Sequence, residues 1–294
     1  MKPATLDIIE IDNLRLRCFI GFSPHELKDK QDVIISLRIG TDLRQAGNTD
    51  KVEDTFNYRT PTKAIIELVE SSKYKLVEKL ANEIAVICVV NFDVQWVKVR
   101  VHKPAALRFS DSVGVVIERT PNDFTISTVY VSLGSNIEPQ TNLKQALTIL
   151  GKHCRINKVS SAYTTPPQGF KEQSDFWNAA VQITTHLTPE QLKCILLKIE
   201  SVLLRVRDPN NKNAARTIDL DISLWNDQEF EFGEKPWKVP EPDILKFAHV
   251  VVPLAEITPD YLHPVTKQTL SQLAAQHQTE QLGFTKQLGW YDQS

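Results

Sequence analysis

Apolar positions along this chain switch between two periods. In residues 5 to 40, LDIIEIDNLRLRCFIG alternates weakly and DVIISLRI alternates well at Val33, Ile35, Leu37 and Ile39, which predicts two strands. The spacing then becomes helical. Ala64, Ile65 and Val69 line one face of a helix with Thr60 as its expected N-cap and Pro61 at its first position. Leu76, Leu80, Ile84, Ile87 and Cys88 mark a second helix through LVEKLANEIAVICVV, and WVKVRVHKP and VGVVIER return to alternation. Two strands, two helices and two strands predict an α+β domain over residues 1–121.

The polar segment RTPNDFTIS, with Pro121 and Asn122, interrupts the pattern, so a linker is expected at residues 120 to 126 and a second domain at 127–294. There YVSLGSN predicts a strand, NLKQALTIL a helix and SSAYTTPPQGFKEQSDF a long loop. NAAVQITT predicts another strand. TPEQLKCILLKIESVLLR reads as a helix capped by Thr188, with Pro189 at N1 and a stripe of Leu192, Ile195, Leu196, Ile199 and Leu203. RTIDLDISLW closes the pattern with Ile218, Leu220, Ile222 and Leu224 pointing inward. The order βα, β, α, β suits a ferredoxin-like sandwich, and the whole chain reads as a two-domain α+β protein.

A length of 294 residues agrees with two cores, and 41% apolar with 24% charged residues excludes disordered and fibrous classes. The formal net charge of -2 gives no overall attraction to nucleic acid or acidic membranes, so anion binding requires a local basic cluster. The opening MKPATLDIIEIDNLRLR has neither a signal-peptide nor a transit-peptide pattern, and no run suggests a membrane span, so a cytoplasmic protein is expected. Cys18, Cys88, Cys154 and Cys194 lack the spacing of a zinc site or a disulfide framework, and Cys88 and Cys194 are expected to be buried structural thiols.

The RTIDLDI stretch raises a chemical question. Residues two apart on a strand point the same way, about 6.5 Å apart, so Asp219 and Asp221 share a face. Alone, the pair fits a solvated edge strand as well as a site for a hard cation such as Mg²⁺. Arg205 and Arg207, read as the end of the preceding helix, and Arg216 at the start of the strand could converge on the carboxylates. Guanidinium forks suit phosphate oxygens, so a magnesium-nucleotide explains the cluster better than scattered ion pairs.

With GSN (Gly134 to Asn136), SSAYTTPPQG, DFWNAAV, IE (Ile199, Glu200) and RVR, this segment resembles 6-hydroxymethyl-7,8-dihydropterin pyrophosphokinases from about Val129 to Pro264. That resemblance implies transfer of the ATP diphosphate to the pterin hydroxymethyl group with two Mg²⁺ ions. It makes Asp219 and Asp221 the metal ligands, places Glu200, Arg205, Arg207, Arg216 and Ile222 at the ATP site, and makes Arg205 and Arg216 catalytic. Thr165, Pro166 and Gln168 fall in the pterin loop, with Phe176 stacking on the ring and Asn178 hydrogen-bonding it. The chain departs from the family at Lys212 to Ala215, where a Trp-Gly-Pro run is usual. It departs again at Glu241 and Phe247, where a histidine and an arginine usually contact phosphates; Lys246 or His249 are the available substitutes. A catalytically degenerate binding or assembly module is the competing reading.

In the first half, IGFSPHELKDKQ, DTFNY, LVEKLANEIA and VHKP together resemble dihydroneopterin aldolases over about residues 5 to 120. The resemblance implies a tunnelling fold, retro-aldol cleavage of 7,8-dihydroneopterin without metal or Schiff base, and a ring-shaped homo-oligomer, expected as an octamer. It makes Glu78, with Val77 beside it, the pterin anchor, Lys103 the general acid/base, Tyr58 a proton donor to the enamine and Glu26 the group that orients the lysine. An epimerase of dihydroneopterin or its triphosphate is the competing reading.

Overall fold

The computed structural model describes residues 6–167, 173–206, 214–234, 236–277 and 284–291. Its contacts divide the chain into two compact units, Met1–Thr125 and Ile126–Ser294.

In the first unit β1 (Asp7–Ile20) and β2 (Gln31–Thr41) form a long antiparallel hairpin, with a bulge between Ile11 and Leu14. A short helix α1 (Arg44–Thr49) leads to α2 (Arg59–Ser71), β3 (Lys73–Tyr74), α3 (Val77–Val86), β4 (Trp96–Pro104) and β5 (Ser112–Arg119). The sheet order is β3-β1-β2-β4-β5. Val33, Ile35, Leu37 and Ile39 of β2 and Val97, Val99 and Val101 of β4 form the inward rows, against Ile65 and Val69 of α2 and Leu80 and Ile84 of α3. Alternation on β2 and β4 thus becomes one buried face.

Two helix ends differ from the pattern. Helix α2 begins at Arg59, one residue before the expected Thr60 cap, because the Asn57 side chain accepts from the Arg59 N–H at 3.1 Å. Pro61 then sits in the first turn, where no intrahelical N–H is missed. Helix α3 starts after Leu76, which is exposed rather than part of the stripe, and it passes into a π-helical segment at Ile87–Asn91.

The second unit runs β6 (Ser127–Ser135), α4 (Pro139–Leu150), β7 (Arg155–Val159), β8 (Ala162–Thr165), β9 (Phe176–Thr185), α5 (Pro189–Val202), β10 (Asp219–Trp225), β11 (Phe230–Phe232), β12 (Trp237–Val239), α6 (Ala248–Ile257), α7 (Leu270–Ala275) and β13 (Thr285–Gln287). Its main sheet has the order β10-β6-β9-β8-β13, with β7 also paired to β9, so β6, β8, β9 and β10 have the strand order of a ferredoxin-like sandwich. One face packs on α4 and α5 through Leu143, Leu147, Leu192, Leu196 and Ile199. Leu254 of α6 and Leu270 of α7 meet Tyr130 and Ala180 on the other.

Thr188 caps α5 and forms a reciprocal capping box with Gln191, as Ser/Thr-x-x-Gln spacing allows. Part of the expected loop is strand instead: Ala162–Thr165 pairs with β9 at Tyr163↔Asn178 and Thr165↔Phe176. Helix α5 stops at Val202, so Arg205 lies beyond it, after Leu204 with φ 59°. The β10–β6 register shifts between Ile222 and Leu224, which sends Leu224 into the opposite core from Ile218, Leu220 and Ile222. Cys88 is buried, but Cys194 is exposed, since two helical steps rotate it about 200° from Leu192. Among the described residues no helix is long and apolar enough to cross a membrane.

Candidate active sites

The inward row of β4 ends in a cation. Lys103 follows Val97, Val99 and Val101 on the same face and is only 7% exposed. Its ammonium donates to the Ile20 carbonyl at 2.9 Å and pairs with the Glu26 carboxylate. The same carboxylate accepts from the Phe22 N–H at 3.2 Å, the Ser23 N–H at 3.0 Å and the Ser23 hydroxyl. Gly21, at φ 131°, makes the space: a Cβ there would lie 2.3 Å from the Glu26 carboxyl carbon. Hydrogen bonds from Lys103 and Ser23 hold Glu26 well below the usual carboxylate range, at about 2.

The other residues implied for this half lie apart from that pair in their contacts. Glu78 is exposed in the first turn of α3, and Val77 packs partly against the core. Tyr58 lies at the α2 N-terminus and lines a groove with Ile9, Glu10, Ile11, Arg59, Thr62 and Lys63. Among the described residues neither Tyr58 nor Glu78 has a hydrogen bond or ion pair to Lys103 or Glu26.

In the second unit a cavity of about 260 Å³ gathers Thr165, Pro166, Phe176, Asn178, Arg216, Asp219, Asp221, Glu241, Phe247 and His249 among its walls. Strand pairing explains the meeting. Asp219 and Asp221 face Gly134 and Ser132 across β10 and β6, while Gly134 faces Asn178 across β6 and β9. The Asn178 amide donates to the Thr165 hydroxyl at 2.9 Å, and the Arg216 guanidinium stands 5.7 Å from the Phe176 ring centroid. The flat ring and the amide of one wall therefore face the acid–guanidinium cluster of the other.

Asp219 forms ion pairs with both Arg205 and Arg216. Burial acts to raise its carboxyl, but the two guanidiniums outweigh that and hold it below the ordinary value. Glu200, 3% exposed, accepts from Arg205 at 2.5 Å and from the Leu220 N–H at 3.1 Å, tying α5 to β10 behind the aspartates. Two of the three expected guanidiniums thus converge on one carboxylate; Arg207, like Gln168, Lys212 and Asn213, lies outside the described residues. Ile222 is buried in the core and also lines an adjoining cavity with Lys193, Phe232, Trp237, Lys238 and Lys246.

Lys193 has no place in the motif reading, and the contacts of Asn136 and Glu241 go beyond it. Lys193 of α5 donates to Asp221 at 2.7 Å and to the Leu220 carbonyl at 3.0 Å. Its spacing of seven residues from Glu200, which keeps both on one helix face, is the signal that could have found it. Asn136 accepts from the Arg216 N–H at 2.8 Å and returns its own N–H to the Arg216 carbonyl at 3.1 Å, so the GSN segment fixes the start of β10. Glu241 accepts from the Ser223 hydroxyl at 3.1 Å, and burial beside the Asp221 charge pushes its carboxyl up to about 8. Phe247 directly precedes α6 and stacks on His249 at 5.3 Å, and Lys246 pairs with Asp243 at 3.0 Å.

The donor set fits a hard cation that completes its shell elsewhere. Among the described residues no three acidic, histidine or cysteine side chains are placed to hold a metal. Two aspartates on one cavity wall, Asp221 with 41% of its side chain exposed, suit Mg²⁺ held by one or two carboxylates plus waters and phosphate oxygens.

The folds and the two constellations define a two-domain α+β chain with a separate candidate site in each unit. Residues 9–118 match the family model of dihydroneopterin aldolase, and residues 130–259 that of 7,8-dihydro-6-hydroxymethylpterin-pyrophosphokinase. The 2-amino-4-hydroxy-6-hydroxymethyldihydropteridine pyrophosphokinase of Bacillus subtilis is 40% identical over 131 residues, covering 44% of this chain and 76% of that protein. The dihydroneopterin triphosphate 2'-epimerase of Pseudomonas aeruginosa is 41% identical over 109 residues, covering 37% of this chain and 89% of that one. The folic acid synthesis protein FOL1 of Dictyostelium discoideum is 31% identical over 91% of this chain, which spans only 44% of its length. The chain belongs to the dihydroneopterin aldolase family in its first half and to the hydroxymethyldihydropterin pyrophosphokinase family in its second.

Proposed function

We propose that this chain catalyses two successive steps on one pterin. Its first half cleaves 7,8-dihydroneopterin to glycolaldehyde and 6-hydroxymethyl-7,8-dihydropterin. Its second half moves the diphosphate of ATP onto the hydroxymethyl oxygen and releases AMP. The observation that carries this reading is the cavity that unites Phe176, Asn178 and Thr165 with Arg216, Asp219 and Asp221. A flat heteroaromatic is recognised by stacking plus a few fixed polar contacts, and a polyphosphate by guanidiniums and hard cations.

In the aldolase half, Lys103 would shuttle a proton to and from the substrate, and Glu26 would fix the position of its nitrogen. Electrons of the breaking carbon–carbon bond pass into the conjugated C=N of the dihydropterin, so the protein need only move protons and hold the ring. Glu78, with Val77 beside it, would anchor the amino-pyrimidine edge, and Tyr58 would protonate the enamine. A ring-shaped homo-oligomer, an octamer, with this site built between its subunits would complete the constellation. In the kinase half, Arg205, Arg207 and Arg216 would hold the phosphates, with Ile222 and Glu200 shaping the nucleotide site and Pro166 and Gln168 the pterin loop. Asp219 and Asp221 would hold two Mg²⁺ ions, which when bound offset charge on the transferred diphosphate. The cytoplasm, where ATP is at hand, is the expected compartment.

An epimerase reading of the first half is favoured by one observation, the 41% identity to the Pseudomonas epimerase. Both outcomes use the same bond cleavage; they differ in whether the two-carbon fragment leaves or adds back. Incubation with dihydroneopterin and Mg-ATP tests both halves: glycolaldehyde, AMP and the pterin diphosphate are expected. Epimer without glycolaldehyde would overturn the aldolase step, and no AMP from added hydroxymethyldihydropterin would overturn the kinase step.

A further inference from the structure

Lys193 is a buried cation placed beneath a candidate metal ligand. It is 4% exposed, donates to Asp221 at 2.7 Å and to the Leu220 carbonyl at 3.0 Å, and stands 5.6 Å from the Trp237 ring centroid. These contacts hold the ammonium against the strand that carries both aspartates. On the other aspartate, Arg205 and Arg216 pair with Asp219, and Arg205 also pairs with Glu200. Among the described residues, the carboxylates of Glu200, Asp219 and Asp221 are therefore joined by ion pairs to Lys193, Arg205 and Arg216.

That balance decides what a divalent cation meets. Arriving alone, it must compete at Asp221 with an ammonium in hydrogen-bond contact and at Asp219 with two guanidiniums. Arriving with a polyphosphate, it brings its own anionic oxygens, and the guanidiniums gain acceptors they prefer bidentately. We propose that Lys193 is a positioning residue that serves as the built-in counter-ion of Asp221, keeps the nucleotide-free protein a poor binder of lone divalent cations, and so couples cation entry to nucleotide entry. The inference rests on the phosphotransfer reading of this site. A lysine that merely tied α5 to β10 would leave lone-cation affinity unchanged or, through loosening, lower it.

The test is Mn²⁺ binding to the full chain, followed by the paramagnetic resonance of free Mn²⁺, with and without α,β-methylene-ATP. Wild type should bind Mn²⁺ weakly alone and at least about tenfold more tightly with the nucleotide analogue. Lys193→Met should raise the lone Mn²⁺ affinity about tenfold and shrink the gain from the analogue, whereas Lys193→Arg should behave as wild type. Lys193→Gln removes the charge but keeps a donor for the Leu220 carbonyl, so it should match Lys193→Met even where the methionine variant folds poorly. Unchanged or weaker lone Mn²⁺ binding in the folded neutral variants overturns the counter-ion role. Wild type that binds no Mn²⁺ even with the analogue overturns the phosphotransfer reading and the inference with it.

Discussion

The ammonium of Lys103 and the carboxylate of Glu26 form an ion pair although 77 residues separate them in the chain. The sheet makes this possible: β4 presents Lys103 at the end of its inward row, and the loop after β1 folds Glu26 back onto Ser23. A pH dependence follows. Glu26 titrates at an ordinary 4.5 when unfolded and at about 2 when folded, so the folded form binds its proton less tightly. Its contribution to stability is full above pH 4.5 and is lost as pH falls through about 2. Thermal unfolding of wild type and Glu26→Gln across that window should show a steeper acid loss in wild type; parallel curves would contradict the assignment.

Gly21→Ala should damage the same site without replacing a charged group. The added methyl would stand 2.3 Å from the Glu26 carboxyl carbon, and the residue would keep a φ of 131° that side chains rarely adopt. We expect a stability loss of about 1–3 kcal/mol from the strained backbone. Displacement of Glu26 should also lower glycolaldehyde release, with AMP formation from added hydroxymethyldihydropterin unaltered. Equal loss of both activities would indicate general unfolding instead.

Much of this fold was legible because burial on one face leaves a periodic trace. The rows Val33–Ile39 and Val97–Val101 alternate as the sheet requires, and Thr188 with Gln191 announces the start of α5. Ala162–Thr165 left no such trace: it is four residues long, bounded by Ser161 and Pro166, and takes its strand form from pairing with β9. The shift at Ser223 was equally hidden, since a bulge depends on the partner strand. In the candidate sites, Asp219 and Arg216 are three residues apart and could be paired by local spacing. No spacing rule links Lys103 to Glu26; only the likeness to a family joins them. Lys193 stayed out of view because a lysine on a helix is ordinarily solvated.

Asp219→Ala should abolish AMP formation while glycolaldehyde release continues. The aspartate belongs to the unit Ile126–Ser294, whereas Lys103 and Glu26 belong to Met1–Thr125, so independent responses are expected. Its removal leaves Arg205 and Arg216 without their shared acceptor, which costs stability locally. Measuring both products from the same purified variant checks the assignment, and retained AMP formation would remove Asp219 from the kinase site.

Glu241 yields a prediction of opposite sign. Burial, then the Asp221 charge, raises its carboxyl from 4.5 to about 8, so the folded protein binds this proton more tightly than the unfolded chain. The resulting stabilisation is complete below pH 4.5 and is lost as pH rises through about 8. Glu241→Gln mimics the protonated carboxyl, can still accept from the Ser223 hydroxyl and carries no charge toward Asp221 or incoming phosphates. In the absence of nucleotide, the variant's second unit should therefore hold its thermal stability between pH 6 and 9 while wild type declines, a difference expected to reach roughly several degrees in Tm. The same substitution should lower KM for ATP at pH 8, where the wild-type carboxyl is partly ionised, and have less effect at pH 6, where it is protonated. A Tm difference that does not change with pH, or a KM effect equal at both pH values, would mean that Glu241 does not titrate in this range.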